Sequence, residues 1–379
     1  MVPQEFEPLL PDSQLEINEL PNLSEAEFRV SFLGCGDNII YGGNIKDARS
    51  KAVEGDRLYN FKPQYAEVSG FIKDADISFI NQETLMCGVG YDISYYPRFN
   101  SPQELGYDLV EIGFDVINIA NNHMLDKGTD GLDKTIKFWK SMDVLMVGGY
   151  ENSEDFDNIR FIQRNGLKIA FLSYTYGTNG LRKSDSSEII VPYINDEDII
   201  RQISIAKEFA DFVAVSIHWG NEGAFKPNNE QKRVAQLIAD CGADAIIGHH
   251  PHVLQPVEWL YGKEGNKTLC VYSMGNFMAE QDYDYNMVGG MICFDIVCSA
   301  DEDAVIENVV FIPTVFHFPA NFYTNIIYPM TEYTRELAAV HGVKNYYRHT
   351  LTYDGLIKYA TDIISEEFLP GDFHEKLED

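Results

Sequence analysis

Ala243-Asp-Ala-Ile-Ile-Gly-His-His-Pro-His252 runs a short apolar strand straight into three histidines, and the reading of that stretch decides the fold. In open α/β sheets, sites are built just past the carboxyl ends of such strands. The same arrangement recurs four times upstream. A strand over 28–34 leads to Asp37, and the run 77–80 leads to Asn81-Gln-Glu83. Residues 114–120 lead to Asn121-Asn-His123, and residues 212–217 to His218-Trp-Gly220. Five chemically compatible strand ends are expected to share one location.

Helical patterns near 62–74, 101–113, 129–142, 196–210 and 228–241 fill the intervals. The second of these opens on Ser101-Pro102, an N-cap followed by proline at the first helical position. The first strand is expected to end in a turn at Gly34-Cys-Gly-Asp37, and a hairpin is expected over 159–175, turned by Asn165-Gly166. From 253 to 316 the signals turn to strands, at 269–272, 287–297 and 305–312. Alternating β and α units followed by a run of strands predict an α/β fold of stacked sheets flanked by helices, four layers deep (αββα). Residues 1–26 read as an extended N-terminal arm and 27–318 as the domain. Residues 319–379 read as a helical appendage, with helices near 331–341 and 354–367.

Fifty-nine acidic residues against 29 basic give a formal charge of −30. Such a field repels nucleic acid and anionic membrane surfaces, so no nucleic-acid partner is expected. A polyanionic substrate would need a local cation to reverse the sign within the site. The six cysteines form no CxxC pair and read as buried free thiols. No apolar run is long enough for a membrane span, and the acidic start lacks the regions of a secretion signal, so the chain as written reads as soluble.

The ligand inventory narrows the chemistry. Histidines and carboxylates without cysteine suit Mn, Zn or Fe and exclude a thiolate cage. His250 and His252, two apart, would point to one side of an extended segment, and the Asn122 carbonyl is a hard ligand for the same class of ion. Two such ions about 3.5–4 Å apart polarise a substrate oxygen and yield a hydroxide nucleophile near neutral pH.

The ordered set Gly36-Asp37, Asn81-Gln-Glu83, Ala120-Asn-Asn-His-Met-Leu-Asp126-Lys-Gly128, His218-Trp-Gly-Asn-Glu222, Gly248-His-His-Pro-His-Val-Leu-Gln255 and Ser273-Met-Gly-Asn-Phe277 resembles the CapA family. These are bacterial capsule-synthesis proteins of the poly-γ-glutamate system (also PgsA), related to calcineurin-like metallophosphatases. The resemblance spans roughly 28–316 in the family's order. It implies a first metal held by Asp37, Glu83 and His252, and a second held by Glu83, Asn122, His218 and His250. It gives His123 the role of general acid on the leaving oxygen. Metallophosphatases carry a histidine two residues past the first aspartate, where Ile39 stands here, and Glu83 replaces a shorter bridging aspartate. One ion or two is therefore left open.

Blander roles stand beside these. Asp37 could simply be a turn residue, and an asparagine at 121–122 could cap a helix. His249 reads as a partner orienting a ligand. Asp126 reads as a local hydrogen-bond acceptor, with support of the site as the alternative. Glu222 and Asn276 read equally as pocket lining or as parts of turns. Tyr283-Asp-Tyr285 reads first as packing, with pocket lining as the alternative. The resemblance implies a metal-dependent hydrolase of phosphoester or related bonds in capsule or envelope polymer metabolism. An anionic polymer or phosphoester would be its substrate, capsule-synthesis membrane proteins its partners, and the cell surface its setting. The rival expectation is a non-catalytic polymer-binding or scaffolding subunit with a vestigial metal site.

Overall fold

Strand Phe212–His218 is buried along its whole length, and its side chains alternate between two cores. Phe212 and Ala214 belong to one apolar cluster, Val213, Val215 and Ile217 to another. This period-two division is what a strand covered on both faces requires. The computed structural model describes residues 27–53, 57–299, 303–344 and 351–378. The arm expected over 1–26 lies outside the described residues.

The strands in chain order are β1 (Glu27–Asn38), β2 (Ile77–Gln82), β3 (Val116–Asn118), β4 (Leu145–Val147), β5 (Arg160–Arg164), β6 (Leu167–Thr175) and β7 (Phe212–His218). They continue with β8 (Ala245–His249), β9 (Val257–Tyr261), β10 (Lys267–Val271), β11 (Asn276–Met278), β12 (Val288–Ser299), β13 (Val305–His317) and β14 (Ile326–Pro329). One sheet has the order β14-β13-β12-β1-β2-β3-β4, with β11 added to β1; the other has the order β5-β6-β7-β8-β10-β9. The two sheets face each other. Phe32 of β1 lies 6.4 Å from Phe171 of β6, and Phe212 of β7 lies 6.1 Å from Phe294 of β12, centroid to centroid. Each such side chain, fully buried, contributes about 1.5–3 kcal/mol.

Helices Glu104–Ile112 and Gly128–Lys140 put Leu105, Leu109, Leu132 and Ile136 into the core of the first sheet. Helices Asp196–Lys207 and Asn229–Asp240 press Ile199, Ile203, Val234 and Ile238 onto the far face of the second. The four-layer αββα expectation holds, as does the hairpin turned at Asn165 and Gly166, both with positive φ. The described cysteines are free; Cys35, Cys87 and Cys270 are buried and the other three partly so. Among the described residues, no helix is long and apolar enough to cross a membrane.

Four features differ from expectation; the helix expected to open on Ser101-Pro102 begins instead at Glu104, behind Gln103, and the other three concern strands. First, Gly34-Cys-Gly-Asp37 is not a turn: β1 runs on to Asn38, because β2 on one side and β11 on the other extend its ladder. The Asp37 amide donates to the Gly275 carbonyl at 2.9 Å, and a Cβ added at Gly36 would stand 2.3 Å from that oxygen. Gly36→Ala should therefore cost about 1–3 kcal/mol through overpacking against backbone. The check is the urea unfolding midpoint, and an unshifted midpoint would contradict this account of β1. Second, β4, β9 and β11 carry too little pattern to stand out in the sequence. Third, β14 pairs with β13 from beyond residue 318, in the stretch read as a helical appendage. The helix Tyr353–Ile363 that follows buries Tyr353, Leu356 and Ala360 in the same core as the sheets.

Candidate metal centre

Strands β1, β2 and β3 run parallel in one sheet, and β6, β7 and β8 run parallel in the other. Register then aligns their polar ends: Asp37 opposite Asn81, Asn81 opposite Asn118, and His218 opposite His249. Loops past the strand ends supply Glu83, Asn122, His123, His250 and His252. All of these residues are buried, His123 being the most exposed at 8%.

Glu83 stands at the junction. Its Oε1 lies 3.6 Å from His218 Nε2 and 3.7 Å from His252 Nε2. Ligand atoms of Asp37, Glu83 and His218 lie within 4.8 Å of one another, as do those of Glu83, His250 and His252. His218 Nε2 also meets Asn122 Oδ1 at 2.9 Å. Asp37 Oδ2 lies 3.0 Å from His252 Nδ1 and accepts the His250 amide at 3.1 Å. The six residues named as ligands thus converge.

His250 and His252 meet for a reason other than the one expected from their spacing. The segment is not extended; both residues adopt positive φ, 98° and 55°. This costly backbone turns the rings to within 5.6 Å of each other and brings His250 to 4.8 Å from the His218 ring. His249 takes a different position. It stacks on Phe79 and lies with Nδ1 3.2 Å from Asp37 Oδ1, beside a ligand rather than among the clusters. Ile39 is buried against Phe99 and Ala279 and offers no donor.

His123 makes a pair with Asp126. Its Nδ1 lies 2.8 Å from Asp126 Oδ2, which also accepts the Phe99 amide at 2.7 Å. With the Asp126 carboxylate as acceptor, the proton sits on Nδ1 and Nε2 is left for chemistry. Asn276 is a support. Its Nδ2 donates to the carbonyls of His252 and Asn286, and the Asn286 amide group in turn holds the His252 carbonyl at 2.9 Å. Glu222 is exposed and lines a groove next to His252, together with Tyr283 and Tyr285.

Two asparagines have roles that the sequence does not assign: Asn81, at a strand end, and Asn118, inside the run 114–120. Asn81 Nδ2 donates to Asp37 Oδ1 at 2.8 Å and to Glu83 Oε2 at 3.3 Å, tying the two carboxylates together. Asn118 Nδ2 holds the Asn81 carbonyl at 2.8 Å from the next strand. Asn118 interrupts the apolar run 114–120 read from the sequence, and that interruption is the available signal. The ring of Tyr176, just past β6, covers His250 at 4.5 Å.

The electrostatics fit a bound cation. Burial pushes the Asp37 carboxyl up, but His249 and His252 outweigh it and hold the group well below the usual range. Burial, then the Asp37 charge, drive Glu83 well above its usual value. Burial, then His250, keep His218 neutral, and burial with His252 brings His250 down to about 3. Neutral imidazoles are the state that ligates metal. Glu83 Oε1, His218 Nδ1 and His250 Nδ1 are buried without a hydrogen-bond partner, a costly condition for polar atoms. Carboxylates, an amide oxygen and neutral imidazoles together suit Mn, Zn or Fe.

Comparison with known proteins agrees on family. The family described as "Bacterial capsule synthesis protein PGA_cap" matches residues 31–281. The "Capsule biosynthesis protein CapA" of Bacillus anthracis is 40% identical over 177 residues, covering 46% of this chain and 42% of that protein. The "PGA biosynthesis protein CapA" of Bacillus subtilis is 38% identical over 177 residues, covering 46% and 45%. The matched stretch thus spans less than half the length of these curated relatives. Among solved structures, the NAD nucleotidase of Haemophilus influenzae is similar at a TM-score of 0.47 with 12% identity, covering 93% of this chain and 59% of that one. The 5'-nucleotidase precursor of Thermus thermophilus is similar at 0.46 with 11% identity, covering 88% and 59%.

Proposed function

The chain belongs to the bacterial capsule synthesis protein family, and on that premise we propose that it is a divalent-metal-dependent hydrolase of phosphoester or related bonds. Its setting is capsule, poly-γ-glutamate or other cell-envelope polymer metabolism at the cell surface, in the company of capsule-synthesis membrane proteins. The observation that carries the reading is the Glu83 carboxylate, shared by two clusters of ligand atoms and left without a hydrogen-bond partner at Oε1.

Asp37, Glu83, Asn122, His218, His250 and His252 would hold one or two ions. A divalent ion bound there supplies an acidified water and neutralises charge gathering on the substrate oxygen. The chain's own residues do the rest. Asn81 fixes the separation of the two carboxylates through its paired hydrogen bonds. Asp126 holds the His123 ring by Nδ1, so that protonated Nε2 can deliver a proton to the leaving oxygen. Tyr176 and the buried walls keep bulk water from His218 and His250.

Elemental analysis and hydrolysis of bis(p-nitrophenyl) phosphate test this together. The protein is expected to carry at least one equivalent of Mn, Zn or Fe. Activity should disappear on chelation and return when the ion is restored. Full metal occupancy with no turnover of any phosphoester would reject the hydrolase reading. One observation favours a second reading, a polymer-binding or scaffolding subunit with a vestigial site: Ile39, buried in an apolar cluster, supplies no ligand to the Asp37 side. Poly-γ-glutamate binding that persists under chelation, without turnover, would favour it.

A further inference from the structure

Beside His252 opens a groove of about 820 Å³, within the size range of small-ligand sites. Three carboxylates line it, Glu222, Glu280 and Asp282, and among its described lining residues there is no Lys or Arg. Five tyrosines line it as well: Tyr41, Tyr95, Tyr96, Tyr283 and Tyr285. Tyr95 and Tyr96 are 56% and 68% exposed at its rim. A chain of γ-linked glutamates carries one negative charge per residue, and the Glu222 and Asp282 side chains lining this groove have the same sign. The −30 charge of the whole chain deepens that repulsion.

The aromatic geometry narrows the occupant further. Tyr283 and Tyr285 stack on each other at 4.9 Å and 6°, and Phe318 and Phe322 at 5.0 Å and 10°. Neither pair leaves a slot for a flat base between its rings. A single ammonium group would fill only a fraction of the volume. What remains is a surface of phenol hydroxyls, carboxylates and apolar ring faces, with the amides of Gln281 and Asn286 among them. Such a surface matches a sugar, whose hydroxyls need acceptors and donors side by side and whose C–H faces pack on aromatic rings. Burial pushes Glu280 up to about 7, and its Oε2 accepts the Gly43 amide at 2.9 Å.

We propose that this groove binds an uncharged glycan portion of the substrate, so that the site serves a sugar-linked ester and not the backbone of a γ-glutamate polymer. The inference rests on the hydrolase reading only for which bond is cut; recognition of the sugar does not depend on turnover.

The test is calorimetric titration of the Mn²⁺-loaded protein with cellohexaose, maltohexaose, chitohexaose, a γ-glutamate hexamer and choline. At least one hexasaccharide is expected to bind with Kd below ~1 mM, and the γ-glutamate hexamer more than tenfold more weakly. Tyr95→Ala and Tyr96→Ala should each weaken the sugar about tenfold, a loss typical of an aromatic contact, while hydrolysis of bis(p-nitrophenyl) phosphate is retained. Tighter binding of the γ-glutamate hexamer or of choline would overturn the inference. So would failure of all three sugars, or sugar binding indifferent to both tyrosines. Sugar binding without phosphodiester turnover would reject the hydrolase reading and leave the glycan site standing; turnover without sugar binding would do the reverse.

Discussion

Glu83→Gln is expected to remove metal binding and to lower kcat/KM for a phosphodiester by on the order of 10³-fold or more, the scale of the charge stabilisation an ion supplies. The carboxylate is the one group common to both clusters of ligand atoms, so its loss strikes both at once. Glutamine keeps the shape and can still accept from Asn81, but it brings no charge to offset a dication. The fold should tolerate it. Without metal, Glu83 is a buried carboxyl beside the negative Asp37, and burial together with that proximity drives it well above its usual value. In chelator, the variant is therefore expected to unfold at the same temperature as the wild type or above it. Added ion should separate the two proteins. Wild type gains about 2.7 kcal/mol at a free ion concentration of 100 Kd, and the variant gains nothing. Thermal melts with and without Mn²⁺, alongside elemental analysis, read this directly. A variant that still gains stability from the ion would show that Glu83 is not a ligand.

His123→Ala should act on a different quantity. Metal content is expected to be unchanged, because the His123 ring is held by Asp126 and packs edge-on against Phe99 at 4.7 Å, outside both ligand clusters. For esters with poor leaving groups, kcat should fall about 10²–10⁴-fold, the range of general acid catalysis. For a p-nitrophenyl ester the fall should be much smaller, since that leaving group departs without a proton. The dependence of rate on leaving-group pKa should therefore steepen in the variant. An equal loss on both kinds of ester would assign His123 to binding or to structure in place of proton transfer.

Much of this is legible in the sequence because strands and their ends obey local rules. A strand buried on both faces must be apolar throughout, so a polar residue at its end stands out; Asp37, Glu83, His123, His218 and the histidines after β8 all announce themselves in this way. Asn81 and Asn118 are harder. Their position at the ends of β2 and β3 is local, but their roles come from pairing across β1, β2 and β3, which links residues far apart in sequence. The end of β1 misleads for a similar reason. Gly34-Cys-Gly carries every local mark of a turn, and it stays extended because β2 and β12 pair with Gly34 and Cys35 and β11 arrives alongside Asp37, with Gly275 against Gly36.

By itself, then, the sequence determined the αββα class, the edge at which chemistry gathers and the kinds of ligand present, because hydrophobic period and strand-end polarity are properties of short stretches. Tertiary structure decided how those groups are arranged. Long-range register set Asn81 between two carboxylates, and positive φ at His250 and His252, a conformation stabilised by surrounding contacts and not by local preference, turned both rings inward. It also decided what stands beside the site. Tyr41, Tyr95 and Tyr96 come from one part of the chain and Glu222, Glu280 and Tyr283 from another; the sequence offers pocket lining as one reading of Glu222 and Tyr283, but the groove exists only once the two parts are packed together.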